Sequence, residues 1–195
     1  MKFIIARHGE TIEGHNGILL GHLPGRLSPL GFEQATRLAL RLKDEPIRII
    51  ATSDLARARD TAQAVAKFHP DAVFEVTEAL RERGLGILEG KPKAETPWAD
   101  RALQRERPEQ GESLDDLYAR AEKVIAEFIK TVTDRTVVAM GHADINLAIV
   151  AALTGKPATE ILTMETPRNT AVSIFELTLG LPVKVIALND ASHLA

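Results

Sequence analysis

The chain has 195 residues, 45% of them hydrophobic and 26% charged, which is enough for one globular domain with a complete core. A formal net charge of −3 gives no general attraction to nucleic acid or anionic membrane, and no apolar run is long enough to cross a bilayer. The lack of cysteine excludes disulfides, thiolate metal sites and cysteine nucleophiles, and the short apolar start before Arg7 does not read as a secretory signal. The expectation is a cytoplasmic protein that binds neither nucleic acid nor membrane.

Lys2 to Ala6 is a short run of strand formers, too short for a helix, that delivers Arg7, His8 and Gly9 at its end. Residues 12 to 28 read as a glycine-rich loop, after which Ser28 and Pro29 signal a helix start. That helix runs to about Lys43, with Phe32, Ala35, Leu38, Ala39 and Leu42 on one face. Ile47 to Ala51 is a buried strand, Leu55 to Phe68 a second helix, and Val73 to Val76 a short strand. Residues 80 to 112 are irregular, with a short helix expected around Ala99 to Arg105.

Ser113 and Asp116 form a capping box for a long amphipathic helix whose core face is Leu117, Ala121, Val124, Ile125 and Phe128. Thr136 to Met140 is an apolar strand that delivers Gly141 and His142, and a helix follows from Asp144 to Leu153. Ala171 to Leu177 and Val183 to Leu188 are two late strands. Strands alternating with helices predict an α/β fold, a three-layer α/β/α sandwich with a mostly parallel central sheet. The whole of 1–195 reads as one domain, with a short lid-like insertion at about 90–112.

Two strands thus share one design, each delivering a histidine at its carboxyl end, where ligands of open α/β sheets bind. His142 leads into a helix, so the Ala143 N–H points at whatever lies between the histidines, and helix N-termini favour anions. Arg57 falls in the first turn of the helix after the Ile47 strand; the alternative is a surface ion pair with Asp54 or Asp60. Glu82 follows the Val73 strand into the same region, with Glu89 as a rival carboxylate. His8, His142 and Glu82 are also a two-histidine, one-carboxylate metal set, but two fixed arginines beside them repel a divalent ion and attract an anion.

Arg7-His8-Gly9-Glu10-Thr11, Ser53-x-Leu55-x-Arg57-Ala58-x-x-Thr61-Ala62, Leu80-x-Glu82, Glu89-Gly90 and Gly141-His142 resemble the histidine phosphatase (phosphoglycerate mutase-like) superfamily. The match continues through Leu27-Ser28-x-x-Gly31-x-x-Gln34-Ala35, Gly111-Glu112-Ser113 and Asn169-x-x-Val172, in the family's order. The resemblance implies a phosphoglycerate mutase-like fold and a phosphohistidine mechanism. It maps the nucleophile onto His8, the phosphate-binding arginines onto Arg7 and Arg57, the second histidine onto His142 and the proton donor onto Glu82.

Elementary chemistry fits those roles. Planar guanidinium forks bind phosphate oxygens by charge-assisted bonds and disfavour protonation of His8, whose attacking ring must be neutral. His142 and the Ala143 N–H are expected to stabilise the equatorial oxygens, and Glu82 to protonate the leaving oxygen and then activate water. Where many relatives carry a phosphate-contacting asparagine, this chain has Gly14. Asn16, two residues on, substitutes if the loop folds back; a solvated asparagine is the alternative. Asp144 reads as a helix cap.

Together these features predict a metal-independent phosphatase, with no cofactor, acting on a small phosphorylated substrate. A phosphoglycerate mutase-type phosphoryl transfer and a non-catalytic phospholigand-binding protein are the alternatives. The short stretch from Gly90 to Glu112 favours the phosphatase, since a mutase must shield its phosphohistidine from water. Lys91, Lys93, Arg101, Arg105 and Arg107 in that stretch either recognise a second anionic group or form a solvated basic face. Trp98 either packs on substrate or anchors the stretch. Sugar phosphates, phosphoglycerates, nucleotide-loop phosphates and phosphohistidine in proteins all fit as substrates, and nothing in the sequence specifies an oligomeric state.

Overall fold

The structure, a computed structural model, describes residues 1–130 and 135–195. Six strands, β1 (Lys2–Arg7), β2 (Ile47–Ser53), β3 (Val73–Thr77), β4 (Thr136–Gly141), β5 (Val172–Glu176) and β6 (Lys184–Asp190), form one sheet in the order β3-β2-β4-β1-β5-β6. The β3-β2-β4-β1 part is parallel, whereas β5 and β6 each run antiparallel to the preceding strand. Among the described residues five α-helices accompany them: α1 (Ile12–His15), α2 (Pro29–Leu42), α3 (Ala56–Ala66), α4 (Leu114–Lys130) and α5 (Ala143–Leu153). No helix among the described residues is long and apolar enough to cross a membrane.

Alternate side chains of each central strand face opposite sides of the sheet, and each side carries its own layer of helices. Ile4, Ala6, Ile50, Val138 and Met140 pack with Leu38, Leu42, Ala62 and Val65 of α2 and α3. Phe3, Ile5, Ala51, Val137 and Ala139 pack with Leu117, Val124, Ile145 and Ile149 of α4 and α5. The expected three-layer α/β/α architecture is therefore present.

Helix starts follow the local signals. Ser28 Oγ accepts the Gly31 N–H at 3.0 Å with Pro29 in the first turn of α2, and Ser113 and Asp116 exchange backbone bonds at 3.0 and 3.1 Å in a capping box for α4.

Three local expectations are corrected. Phe32 is 57% exposed, because the buried stripe of α2 is Gly31, Ala35, Leu38, Ala39 and Leu42 and the next residue is turned about 100° away from it. The glycine-rich segment after β1 contains α1, capped by Thr11 Oγ1, which accepts the Gly14 N–H at 2.9 Å. The turn near Ala99 is a 3₁₀ helix over Arg101–Arg105, one of several short turns between residues 86 and 105.

Candidate active site

β1 and β4 are neighbours in register, with Arg7 opposite Gly141, so their next residues, His8 and His142, leave the sheet side by side. The chain then departs to opposite faces, from β1 toward α2 and from β4 into α5, which opens a crevice at the carboxyl edge. The His8 N–H donates to Gly141 O at 3.1 Å, and Asn169 Nδ2 donates to His8 O at 3.0 Å. The Gly9 N–H donates to Thr61 Oγ1 at 3.1 Å. A Cβ on Gly9 would lie 2.5 Å from Gly31 O, so backbone meets backbone where α2 begins. The two imidazole centroids are 5.0 Å apart with planes inclined at 61°.

His8 Nδ1 lies 2.6 Å from Gly9 O. A carbonyl oxygen only accepts, so Nδ1 carries the proton and Nε2 presents its lone pair. Arg57 Nε donates to that Nε2 at 3.2 Å and to His142 Nδ1 at 3.1 Å. The rest of the Arg57 fork holds the loop before α2, with NH2 donating to Gly21 O at 2.8 Å and NH1 to Pro24 O at 3.1 Å and to Leu23 O. Burial, Arg57 and Arg7 together push His8 well below the ordinary histidine range, and burial and Arg57 do the same to His142. Burial also pulls Arg57 down to about 10, still well above neutrality.

Arg7 ends β1; its NH1 donates to Pro167 O at 2.6 Å, and its Nε is buried with no partner among the described residues. Arg7, His8, Arg57, Glu82, Ala143 and Asp144 all line one cavity of about 240 Å³. His142 is fully buried beneath it and reaches it through Arg57 and His8. The surface Arg57–Asp54 pair does not form; Asp54 accepts from Arg81 instead.

Glu82 and Glu89, ambiguous in sequence, are separated in space. Glu82 Oε2 accepts the Ala143 N–H at 3.0 Å, and Oε1 accepts those of Asp144 and Arg83, both at 3.0 Å. Glu89 lies outside that cavity lining, where its Oε1 accepts the His22 and Leu85 N–H groups, each at 3.0 Å, and ties two loops together. Asp144 is not a cap: no side chain of its own helix start caps α5, because Glu82 has taken those N–H groups, and the Asp144 carboxyl lines the cavity. Asn16 is also corrected. It is exposed at the end of α1 beside Glu10 and Ile12, away from the cavity, which Gly14 lines instead.

The stretch expected to act as a lid closes one wall. Trp98 is buried under the Arg83 guanidinium, whose carbon is 4.9 Å from the ring centroid. Arg83, itself fully buried, donates to Glu112 O at 2.8 Å, Gln104 O at 2.7 Å and Glu106 O at 3.0 Å. Lys93 and Arg101 reach the cavity, whereas Lys91, Arg105 and Arg107 do not.

The site thus holds a buried His8 imidazole with one fixed tautomer, bonded to Arg57 and in the field of Arg7, at the edge of a parallel sheet. The family model of the histidine phosphatase superfamily (branch 1) matches residues 3–190. The chain belongs to the histidine phosphatase superfamily.

Among curated relatives, it is 29% identical to phosphoglycerate mutase-like protein 4 of Arabidopsis thaliana, over 99% of this chain and 86% of that protein. It is 32% identical to the metal-independent phosphoserine phosphatase of the same plant, over 78% of this chain and 68% of that protein. Among solved structures, a mycobacterial glucosyl-3-phosphoglycerate phosphatase in complex with VO3 superposes with a TM-score of 0.87 at 27% identity, covering 97% of this chain and 99% of that one.

Several supporting residues carry no signal of their own in the sequence. Arg83 reads as one of three charges in Arg81-Glu82-Arg83, yet it is a strut for the stretch that holds Trp98 and Gln104. Arg120 reads as an exposed helix position, yet it donates to Arg81 O at 2.7 Å and Glu82 O at 3.2 Å and pairs with Glu112, so it fixes the segment that carries Glu82.

Proposed function

We propose that this member of the histidine phosphatase superfamily is a phosphomonoesterase that hydrolyses a small phosphorylated metabolite through a phosphohistidine on His8. The observation that carries this reading is the His8 tautomer. With Nδ1–H held on Gly9 O, the Nε2 lone pair faces a cavity containing Arg7 and Arg57, and burial keeps the ring neutral. A phosphate oxygen replaces His8 Nε2 as the acceptor of the Arg57 Nε–H, and Arg7, whose Nε has no partner among the described residues, binds a second oxygen.

His8 Nε2 then forms a bond to phosphorus as the ester P–O bond breaks, and Glu82, in its acid form, gives its proton to the leaving alcohol. In the second half Glu82 takes a proton from water, the water oxygen bonds to phosphorus, and the N–P bond breaks to return neutral His8 and inorganic phosphate. His142 holds Arg57 Nε beside the nucleophile, and the Ala143 N–H serves the acid and the phosphoryl oxygens in turn. No step calls on a metal, and the two arginines oppose a divalent cation at this position.

The cavity of about 240 Å³ suits a small ester, and the short lid over residues 90–112 of the single domain favours water over a retained intermediate as phosphoryl acceptor. A cytoplasmic setting, where such metabolites are found, is part of the same reading.

Incubation with p-nitrophenyl phosphate in EDTA tests it. Phosphate release, together with an acid-labile, alkali-stable phosphoryl adduct that is lost in His8→Ala, is the expected result. Strict metal dependence, or turnover retained in His8→Ala, overturns it.

A further inference from the structure

Two carboxyls among the described residues line the cavity, Glu82 and Asp144, and they differ in their bonding. Glu82 accepts three N–H bonds at 3.0 Å, and Glu112 nearby pairs with Arg120 at 2.7 Å, but no described residue donates to the Asp144 side chain. The N–H groups it would ordinarily cap are held by Glu82. Two of the cations around it are committed elsewhere: Arg83 to three carbonyls and the Trp98 face, and Arg101 to Leu162 O at 2.8 Å and Met164 O at 3.2 Å. The half-buried Asp144 carboxyl is therefore open to the cavity, where a donor on the ligand can take the place of water.

We propose that Asp144 is a specificity determinant that accepts a hydrogen bond from an ammonium group on the alcohol part of the phosphomonoester. The proposal rests on the phosphomonoesterase reading above. Arg7 and Arg57 take the phosphoryl group at the cavity floor, and Asp144, on the first turn of α5, faces what remains of the ligand. An alcohol that carries a carboxylate there meets two carboxyls, Asp144 and Glu82, and is disfavoured. Burial and the neighbouring Glu82 raise Asp144 to about 7, against the opposing pull of Arg83, Arg7 and Arg101. His8, Arg57 and Lys93 are the other charged or titratable groups lining the cavity. An arriving ammonium shifts the balance toward ionised Asp144, so selectivity for it grows as the pH rises through 7.

The test compares kcat/KM for O-phosphoethanolamine with that for n-propyl phosphate, which is close in size but uncharged in its tail, at pH 6 and pH 8. The same pair is measured on Asp144→Asn, where the substrates' own titration cancels, with Asp144→Ser as the second variant if the amide does not fold. Wild type is expected to favour phosphoethanolamine about tenfold at pH 8, with the preference weaker at pH 6 and reduced to near unity by the substitution. A wild-type ratio near one, or a ratio unchanged by the substitution, overturns the role of Asp144 and leaves the phosphomonoesterase intact. Failure of wild type to hydrolyse even p-nitrophenyl phosphate overturns that underlying reading instead.

Discussion

Glu82 caps the helix that begins at Ala143: its Oε2 accepts the Ala143 N–H at 3.0 Å, and the Asp144 N–H reaches its Oε1 at the same distance. The proposed acid and the helix end proposed to bind anions, two separate features along the chain, are one unit in space. Glu82→Gln keeps an acceptor oxygen for the helix but cannot supply the proton. Turnover of alkyl phosphates should fall by about 10²–10⁴. p-Nitrophenyl phosphate, whose leaving group departs without a proton, should lose far less. Steady-state kinetics on the two esters check this, and equal losses would remove Glu82 from the acid role.

Protonation should limit stability on the acid side. His8 and His142 sit well below the ordinary histidine range, so below about pH 6.5 the unfolded chain binds protons that the native chain does not. Stability is full above that value and is lost as the pH falls, by about 1.4 kcal/mol per pH unit for each such proton. Asp144 acts with the opposite sign: burial and Glu82 raise it to about 7, so between about pH 4 and 7 the native state holds a proton that the unfolded state lacks. Urea unfolding between pH 7 and 5 should therefore show a steeper acid loss in Asp144→Asn than in wild type, by about one proton's slope.

Arg57 serves two masters, the imidazoles through Nε and the loop carbonyls of Gly21, Leu23 and Pro24 through its other nitrogens. Lysine keeps the charge but not the fork. Arg57→Lys should lower kcat/KM by about 10²–10³ and speed amide exchange in residues 21–24. Exchange measured by mass spectrometry separates the second effect from the first.

At the entry to α2 two backbones touch, with Gly31 O 2.5 Å from the position of a Gly9 Cβ and Glu10 O 2.0 Å from that of a Gly31 Cβ. Gly9→Ala or Gly31→Ala should each destabilise the fold by about 1–3 kcal/mol, because the obstruction is backbone and not a movable side chain. A thermal melt shows the effect directly. An unchanged Tm for both would mean that α2 can shift away from His8.

Arg83 links the proposed lid to the segment carrying Glu82, through carbonyls of Gln104, Glu106 and Glu112 and the Trp98 face. Arg83→Met fills similar volume without the donors, leaving the buried Gln104 carbonyl and the part-buried Glu106 and Glu112 carbonyls without this partner. Limited proteolysis should then cut within residues 90–112 faster than in wild type. KM should rise more than kcat falls, since the lid wall shapes the cavity and His8 does not touch it.

What the sequence alone determined is whatever depends on near neighbours and on periodicity. Strand runs ending in Arg7-His8 and Gly141-His142, the Ser28-Pro29 and Ser113–Asp116 helix starts, and the alternation of helix and strand need only a few adjacent residues to be legible, and they led to the fold and to most of the residues of the candidate site.

Only the tertiary structure decided which groups share hydrogen bonds. A donor has few acceptors in reach, and which one takes it depends on segments far apart along the chain. Glu82, 61 residues before Ala143, took the helix N–H groups and left Asp144 to the cavity. Phe32 was placed outside by a rotation of one residue, and Asn16 by the one-turn helix α1 that points it to solvent. Arg83, fully buried, and Arg120, half-buried, became struts because carbonyls from distant loops converge on them, a property that no local pattern of charge encodes.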